Sequence, residues 1–148
     1  MIRLIILLFA VPVSMVTGCA TPKYGDLTAT KNTPYGLNAK LVDGAVTKLE
    51  VLYPPASTQF NIGQSILPND NFGLELISTL RNHGYAVQEF SKKHPADEQP
   101  GTSLRYTIDQ NQGIYRIKLN VGSDTLTRAY IEQEDSIVPA GSWARLEN

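Results

Sequence analysis

Residues 104–121 read LRYTIDQNQGIYRIKLNV, and the alternation in them decides the fold class. Leu104, Tyr106 and Ile108 alternate with Arg105, Thr107 and Asp109. After a turn at Asn111-Gln112-Gly113, Tyr115, Ile117, Leu119 and Val121 alternate with Arg116, Lys118 and Asn120. A period of two gives each strand one apolar and one polar face, and a glycine-containing turn between two such runs makes them a hairpin. Toward the carboxyl terminus, Gly122-Ser123-Asp124 forms the next turn and residues 125–131 a third strand. Pro139-Ala140-Gly141 then bends the chain before a last short strand around Trp143. The result is an antiparallel meander with one apolar face to cover.

The cover comes from upstream. Leu37, Leu41, Ala45, Leu49 and Leu52 recur at steps of four and three, which is one face of a helix. Gly44 weakens this helix by about 1 kcal/mol relative to alanine, and Pro54-Pro55 ends it. Phe60 and Ile62 alternate with Gln59 and Asn61 in a short strand within residues 58–64. A second helix follows: Asn69, Asp70 and Asn71 offer N-caps, Phe72, Leu76, Ile77 and Leu80 form the stripe, and Gly84 after His83 stops it. Tyr85 and Val87 begin another strand, and residues 92–102, with two prolines, read as an exposed loop. The fold class is therefore α+β, two helices packed on a small antiparallel sheet.

The first 34 residues do not fit such a domain. Arg3 precedes an apolar run from Leu4 to Val13, too short to cross the roughly 30 Å hydrocarbon core of a bilayer. Val16-Thr17-Gly18 then leads into Cys19, the only cysteine. The pattern resembles the bacterial lipobox, with cleavage after Gly18 and covalent diacylglycerol plus an N-acyl chain, typically palmitate, on Cys19. A lone cysteine in an exported chain forms no internal disulfide, and lipidation accounts for it. Several acyl chains hold a protein to a membrane where one does not. Ala20 follows the cysteine, not the aspartate that resembles an inner-membrane retention signal, so the expected address is the outer membrane, facing the periplasm. Residues 20–34 are polar and rich in Thr, Asn, Gly and Pro, which suits a flexible linker averaging roughly 20 Å end to end. The expected organisation is a signal peptide over 1–18, a lipidated amino terminus and linker over 19–34, and one periplasmic domain over 35–148.

Cleavage removes Arg3 alone among charged residues, leaving 12 Lys+Arg against 14 Asp+Glu. With no basic run beyond Lys92-Lys93, nucleic-acid binding through phosphate neutralisation is not expected. Nor does the sequence assemble a catalytic or metal-ligating set. His83 and His94 lack ligand spacing to Cys, Asp or Glu, and His83 suits the carboxyl end of a helix dipole. Ser57, Ser78 and Ser142 lack a nucleophile elbow. Glu132, Glu134 and Asp135 are a carboxylate cluster that reads better as a solvated hairpin turn than as an acid–base pair. No cofactor and no small-molecule ligand are expected.

What remains are contact features. Tyr53-Pro54-Pro55 is either a rigid corner presented to a partner or a helix stop with a stiff turn. Trp143 is either an interface anchor or a core residue. A strand edge such as 125–131 is open to backbone pairing with another subunit if it lies at the border of the sheet.

Five short stretches carry a family resemblance: Leu52-Tyr53-Pro54-Pro55-Ala56-Ser57-Thr58, Leu80-Arg81-Asn82-His83-Gly84-Tyr85, Tyr106-Thr107-Ile108-Asp109-Gln110, Leu126-Thr127-Arg128 and Pro139-Ala140-Gly141-Ser142-Trp143. In their order, together with the lipobox, they resemble TrbH, a family of conjugal-transfer lipoproteins of plasmid mating-pair formation systems. The resemblance implies a non-enzymatic structural subunit at the outer-membrane end of a type IV secretion channel, with other channel subunits as partners. The competing expectation is a free-standing periplasmic binding or envelope-maintenance lipoprotein with a pocket between helix and sheet. The absence of a convergent polar and aromatic cluster favours the first.

Overall fold

The computed structural model describes residues 36–134 and 136–147. Helix α1 spans Leu37–Leu52 and buries Leu37, Leu41, Ala45 and Leu49, the stripe read from spacing, together with Val42 and Val46. Pro54 excludes helical backbone at Tyr53, which closes the helix by donating its N–H to the Leu49 carbonyl at 2.7 Å. Helix α2 spans Asn71–Asn82. Asp70 caps it by accepting from the Gly73 N–H at 2.8 Å. Its far end is a Schellman motif: Gly84, at φ +85°, donates to Arg81, and Tyr85 donates to Leu80.

Among the described residues, seven strands form one sheet: β1 Gln59–Ile62, β2 Ala86–Gln88, β3 Thr102–Asn111, β4 Ile114–Val121, β5 Asp124–Gln133, β6 Ser136–Pro139 and β7 Ala144–Leu146. The order is β2-β1-β3-β4-β5-β6, with β7 also paired to β5. The α+β class and the two helices on one face agree with the sequence reading. The sheet, however, is mixed. β1 runs parallel to both β2 and β3, because α2 carries the chain back before β2 begins. Alternation fixes which face of a strand is buried and leaves its direction open, so the parallel pairs were invisible to it.

The apolar faces of both helices and of β1, β3, β4 and β5 close over one core, whose largest fully buried side chains include Tyr106, Tyr115, Tyr130, Phe60 and Phe72. Gly44 belongs to this packing. A Cβ there would lie far inside van der Waals contact of the Tyr130 hydroxyl, so the glycine makes room for the Tyr130 side chain against α1, and its cost in helix propensity is offset by that fit. The 92–102 segment is largely exposed, as expected of a loop, yet it also folds back onto the sheet through a 3-10 turn at Ala96–Glu98 that buries Ala96. It covers Asn61, whose side-chain amide donates to the Pro100 carbonyl at 3.0 Å. Asp97 also forms an ion pair with Arg105 at 2.6 Å, which holds the loop against β3.

Candidate functional site

Three separate surfaces offer contact chemistry: the junction at Tyr53, the open face of the sheet, and a recess beside α2. The junction is built from the helix stop. Because Pro54 and Pro55 turn the chain sharply, the Tyr53 ring lies edge-on to Phe60, with centroids 6.1 Å apart, and Phe60 stacks on Tyr85 at 5.0 Å. The Tyr85 hydroxyl donates to the Tyr53 carbonyl at 2.7 Å. The Tyr53 hydroxyl donates to Asp124 at the start of β5, and Asp124 also accepts from Arg145 Nη2 at 2.8 Å and Nε at 3.2 Å. The helix end is thereby tied to β5 and β7.

These contacts set the local protonation. Burial, then the Asp124 hydrogen bond, pushes the Tyr53 phenol up to about 12. Burial, with the Glu50 charge beside it, pushes Tyr85 up to about 12. The Tyr53 hydrogen bond, then Arg145, holds the Asp124 carboxyl below the ordinary carboxylate range. Each group keeps its ordinary charge state at neutral pH, so the arrangement is a tie and not an acid–base relay.

Trp143 stands at the start of β7, half-buried against the core. The Arg128 guanidinium lies 6.0 Å from its ring centroid and 5.5 Å from that of Tyr130. Thus two of the residues singled out in the sequence, Tyr53 and Trp143, meet the same terminal strand, one through Asp124 and Arg145 and one directly. Pro54 is exposed and Pro55 half-buried. Asp124 and Arg145, which join them, were missed: Asp124 reads as a turn residue after Gly122-Ser123, and nothing local marks it as buried. Gly18 and Cys19 lie outside the described residues.

The strand edge at 125–131, a docking candidate only if it bordered the sheet, is not free. β4 pairs with one side of β5, and β6 and β7 share the other, so the borders of the sheet are β2 at one end and the β6–β7 line at the other. What is open is the part of the face away from the helices that the 92–102 segment leaves uncovered, over β4, β5 and β6. Ile114, Ile131 and Val138 are cross-strand neighbours there, and Ile114 and Ile131 are 41 % and 36 % exposed. Beside this row lie Arg116, paired with Asp109 at 3.4 Å, and Lys118.

The recess, about 320 Å³, lies between α2 and its flanking loops and is lined by Ile66, Leu74, Ile77, Ser78, Arg81, Asn82 and Glu89. Its two charges bind each other, Arg81 to Glu89 at 2.9 Å. His83, expected to meet the helix dipole, ends α2 and pairs with Glu50 of α1 at 2.7 Å. Among the described residues, no group of three or more His, Cys, Asp or Glu is placed to hold a metal ion, and no helix is long and apolar enough to cross a membrane. Glu132 and Glu134 are exposed at the β5–β6 hairpin, and Asp135 lies outside the described residues.

Comparison with known proteins adds one match. A family model described as conjugal transfer protein TrbH matches residues 21–147. No curated protein and no solved structure matches.

Proposed function

Because the chain belongs to the TrbH family of conjugal transfer proteins, we propose that it is an outer-membrane lipoprotein that serves as a structural or assembly subunit of a conjugative type IV secretion channel. Cys19 carries the lipid after cleavage at Gly18, residues 20–34 lift the domain from the inner leaflet, and the domain contacts other channel subunits. The observation that carries the contact role is the uncovered sheet face with its Ile114, Ile131 and Val138 row. A two-layer domain leaves that face to solvent unless another body covers it, and a contiguous apolar row on it marks a contact surface. Tyr53, Pro54, Pro55 and Trp143 act in this reading by fixing the end of the domain near β7, with Pro54 the most exposed point of the corner. The competing reading, a binding lipoprotein, has the recess beside α2 as its pocket. The Arg81–Glu89 pair across that recess is mutually satisfied, which leaves Ser78 and Asn82 as the polar side chains of the lining that could orient a small ligand.

The test is cross-linking mass spectrometry on the tagged protein purified in mild detergent from donor-cell outer membranes. Channel subunits recovered in a fixed ratio, with cross-links mapping to Lys118 and its neighbours, support assembly. Recovery alone or with cell-wall proteins refutes it. Anchoring is tested separately by the mass of the mature amino terminus: an acylated Cys19 is expected, and a Cys19→Ser chain that stays processed and membrane-bound would overturn the anchor.

A further inference from the structure

Strand β3 outruns its neighbour. β1 pairs with Thr102, Ser103 and Leu104 and then leaves the sheet, whereas β3 continues to Asn111. The Leu104 carbonyl accepts from the Gly63 N–H at 2.9 Å and the Tyr106 N–H donates to the Gln64 side chain at 2.8 Å, so the even-numbered residues of β3 aim their backbone groups at the β1 side. Hydrogen-bonding direction alternates along a strand, and Ile108 and Gln110 therefore aim theirs the same way, past the end of β1, where no strand among the described residues runs. Gln64 marks the place where the pairing stops. It is 7 % exposed, Tyr106 uses its Oε1, and Nε2 of the same amide is a buried donor with no acceptor. A donor in that state is costly until a carbonyl reaches it.

The outer borders of the sheet are blunted, and this inner edge is not. Arg81 donates to the Val87 carbonyl of β2 at 3.3 Å, and Pro139 puts a residue without an N–H into β6. Residues 106–111, Tyr-Thr-Ile-Asp-Gln-Asn, contain no proline and no lysine and keep an unbroken register with β4. The layer above is apolar as well. Phe72 of α2 packs on the Tyr106 ring with centroids 4.8 Å apart, and the chain around the start of α2 exposes Leu67 by 58 % and Leu74 by 49 %.

The free stretch is complementary to itself. Set antiparallel about Ile108, it brings Thr107 opposite Asp109 of a second copy, and the reverse, with no like charges facing. The register two residues further sets Asp109 against Asp109, and the register two residues back sets Gln110 against Leu104, which Gly63 already holds. Only the register about Ile108 carries the Gln110 carbonyl of the second copy to the position opposite Tyr106, where the Gln64 amide stands, and so gives Nε2 its acceptor.

We propose that two copies of this chain join edge to edge through the free half of β3, as a two-fold pair with one continuous sheet. Ile108 exchanges both backbone hydrogen bonds with Ile108 of the second copy. The pairing uses neither the lipid nor the Ile114, Ile131 and Val138 row, so it holds or fails independently of both.

The test uses full-length protein in mild detergent, with Thr107→Cys in a chain bearing one tag and Asp109→Cys in a chain bearing another, mixed and oxidised. Facing residues of a non-hydrogen-bonded antiparallel pair lie about 4.5 Å apart at Cα, within reach of a disulfide. Thr107 is half-buried and Asp109 exposed, both on the face opposite the core, so both positions take a cysteine. Each chain carries one new thiol, and a band of doubled mass with both tags therefore joins two chains; either variant alone measures the background from Cys19. Light scattering of the unaltered protein is expected to give the mass of two chains at the same concentration. Gln110→Pro, which removes an N–H that faces the edge and not β4, is expected to restore the mass of one chain and abolish the two-tag band with the circular dichroism unchanged. Thr107→Asp, which sets a carboxylate against Asp109 of the second copy while facing Lys118 in its own chain, is expected to do the same. A single-chain mass with no two-tag band overturns the proposal. So does a dimer that forms no 107–109 disulfide, or one that survives both Gln110→Pro and Thr107→Asp, because the copies then meet elsewhere.

Discussion

Gly44→Ala should destabilise this protein, although alanine is the better helix former, and the structure says by how much. In an exposed helix the change gains about 1 kcal/mol. Here the new Cβ overlaps the Tyr130 hydroxyl, and that residue is 2 % exposed and packed beside Arg128. Overpacking of this kind costs typically about 1–3 kcal/mol, so the net loss reaches up to about 2 kcal/mol. Tyr130→Phe removes the offending atom. The hydroxyl has no hydrogen-bond partner, so its removal is expected to be neutral or to stabilise by up to about 1 kcal/mol. With it gone, the nearest atom to the new Cβ is Tyr130 Cζ at 3.4 Å, an ordinary contact, and Gly44→Ala should then stabilise by about 0.5–1 kcal/mol. The double-mutant cycle thus predicts a coupling of about 1–3 kcal/mol, the overpacking cost itself, between residues in direct contact. Equilibrium urea unfolding of the detergent-solubilised protein, followed by circular dichroism, reads it as shifts in midpoint at constant slope. If Gly44→Ala stabilises the otherwise unaltered protein, or the two changes simply add, the close approach of β5 to α1 is wrong.

Other consequences can be checked with the same assay. Asp70→Ala removes the cap of α2 and leaves the buried Tyr106 hydroxyl without its acceptor, and a loss of about 2–4 kcal/mol is expected. Asp70→Asn, which keeps an acceptor for the Gly73 N–H, should lose less. Asp124 has a depressed pKa, so its stabilisation is complete above the ordinary carboxylate range and disappears as pH falls through the folded value; Asp124→Asn should flatten the acid limb of a stability–pH profile. Tyr53 and Tyr85 titrate near 12 when folded, above the ordinary 10, so their contribution is present below pH 10 and lost between 10 and 12. Ultraviolet titration should show tyrosinate appearing together with alkaline unfolding, and Tyr85→Phe should shift that unfolding to higher pH.

The amino-acid order by itself determined the elements. The alternation in β3, β4 and β5, the four-and-three spacing of α1, and the Asp70 cap and Gly84 stop of α2 are local signals. A strand buries every second residue and a helix every third or fourth, whatever it packs against. The five stretches that resemble TrbH were legible for the same reason, each being short and contiguous. The order could not determine what each element lies beside. Whether residues 125–131 formed a free edge stayed open in the sequence, and β6 and β7 return to cover it. Gln59–Ile62 read as one more strand of an antiparallel sheet, but α2 makes its neighbours parallel. Gly44 read as a weak point until Tyr130, far along the chain, was found against it, and Asp124 read as a turn until Tyr53 and Arg145 closed on it. Periodicity is written in the geometry of one segment, whereas close approach, burial of a polar group and the identity of an edge arise only when distant segments compete for the same apolar surface, and those only the tertiary structure decided.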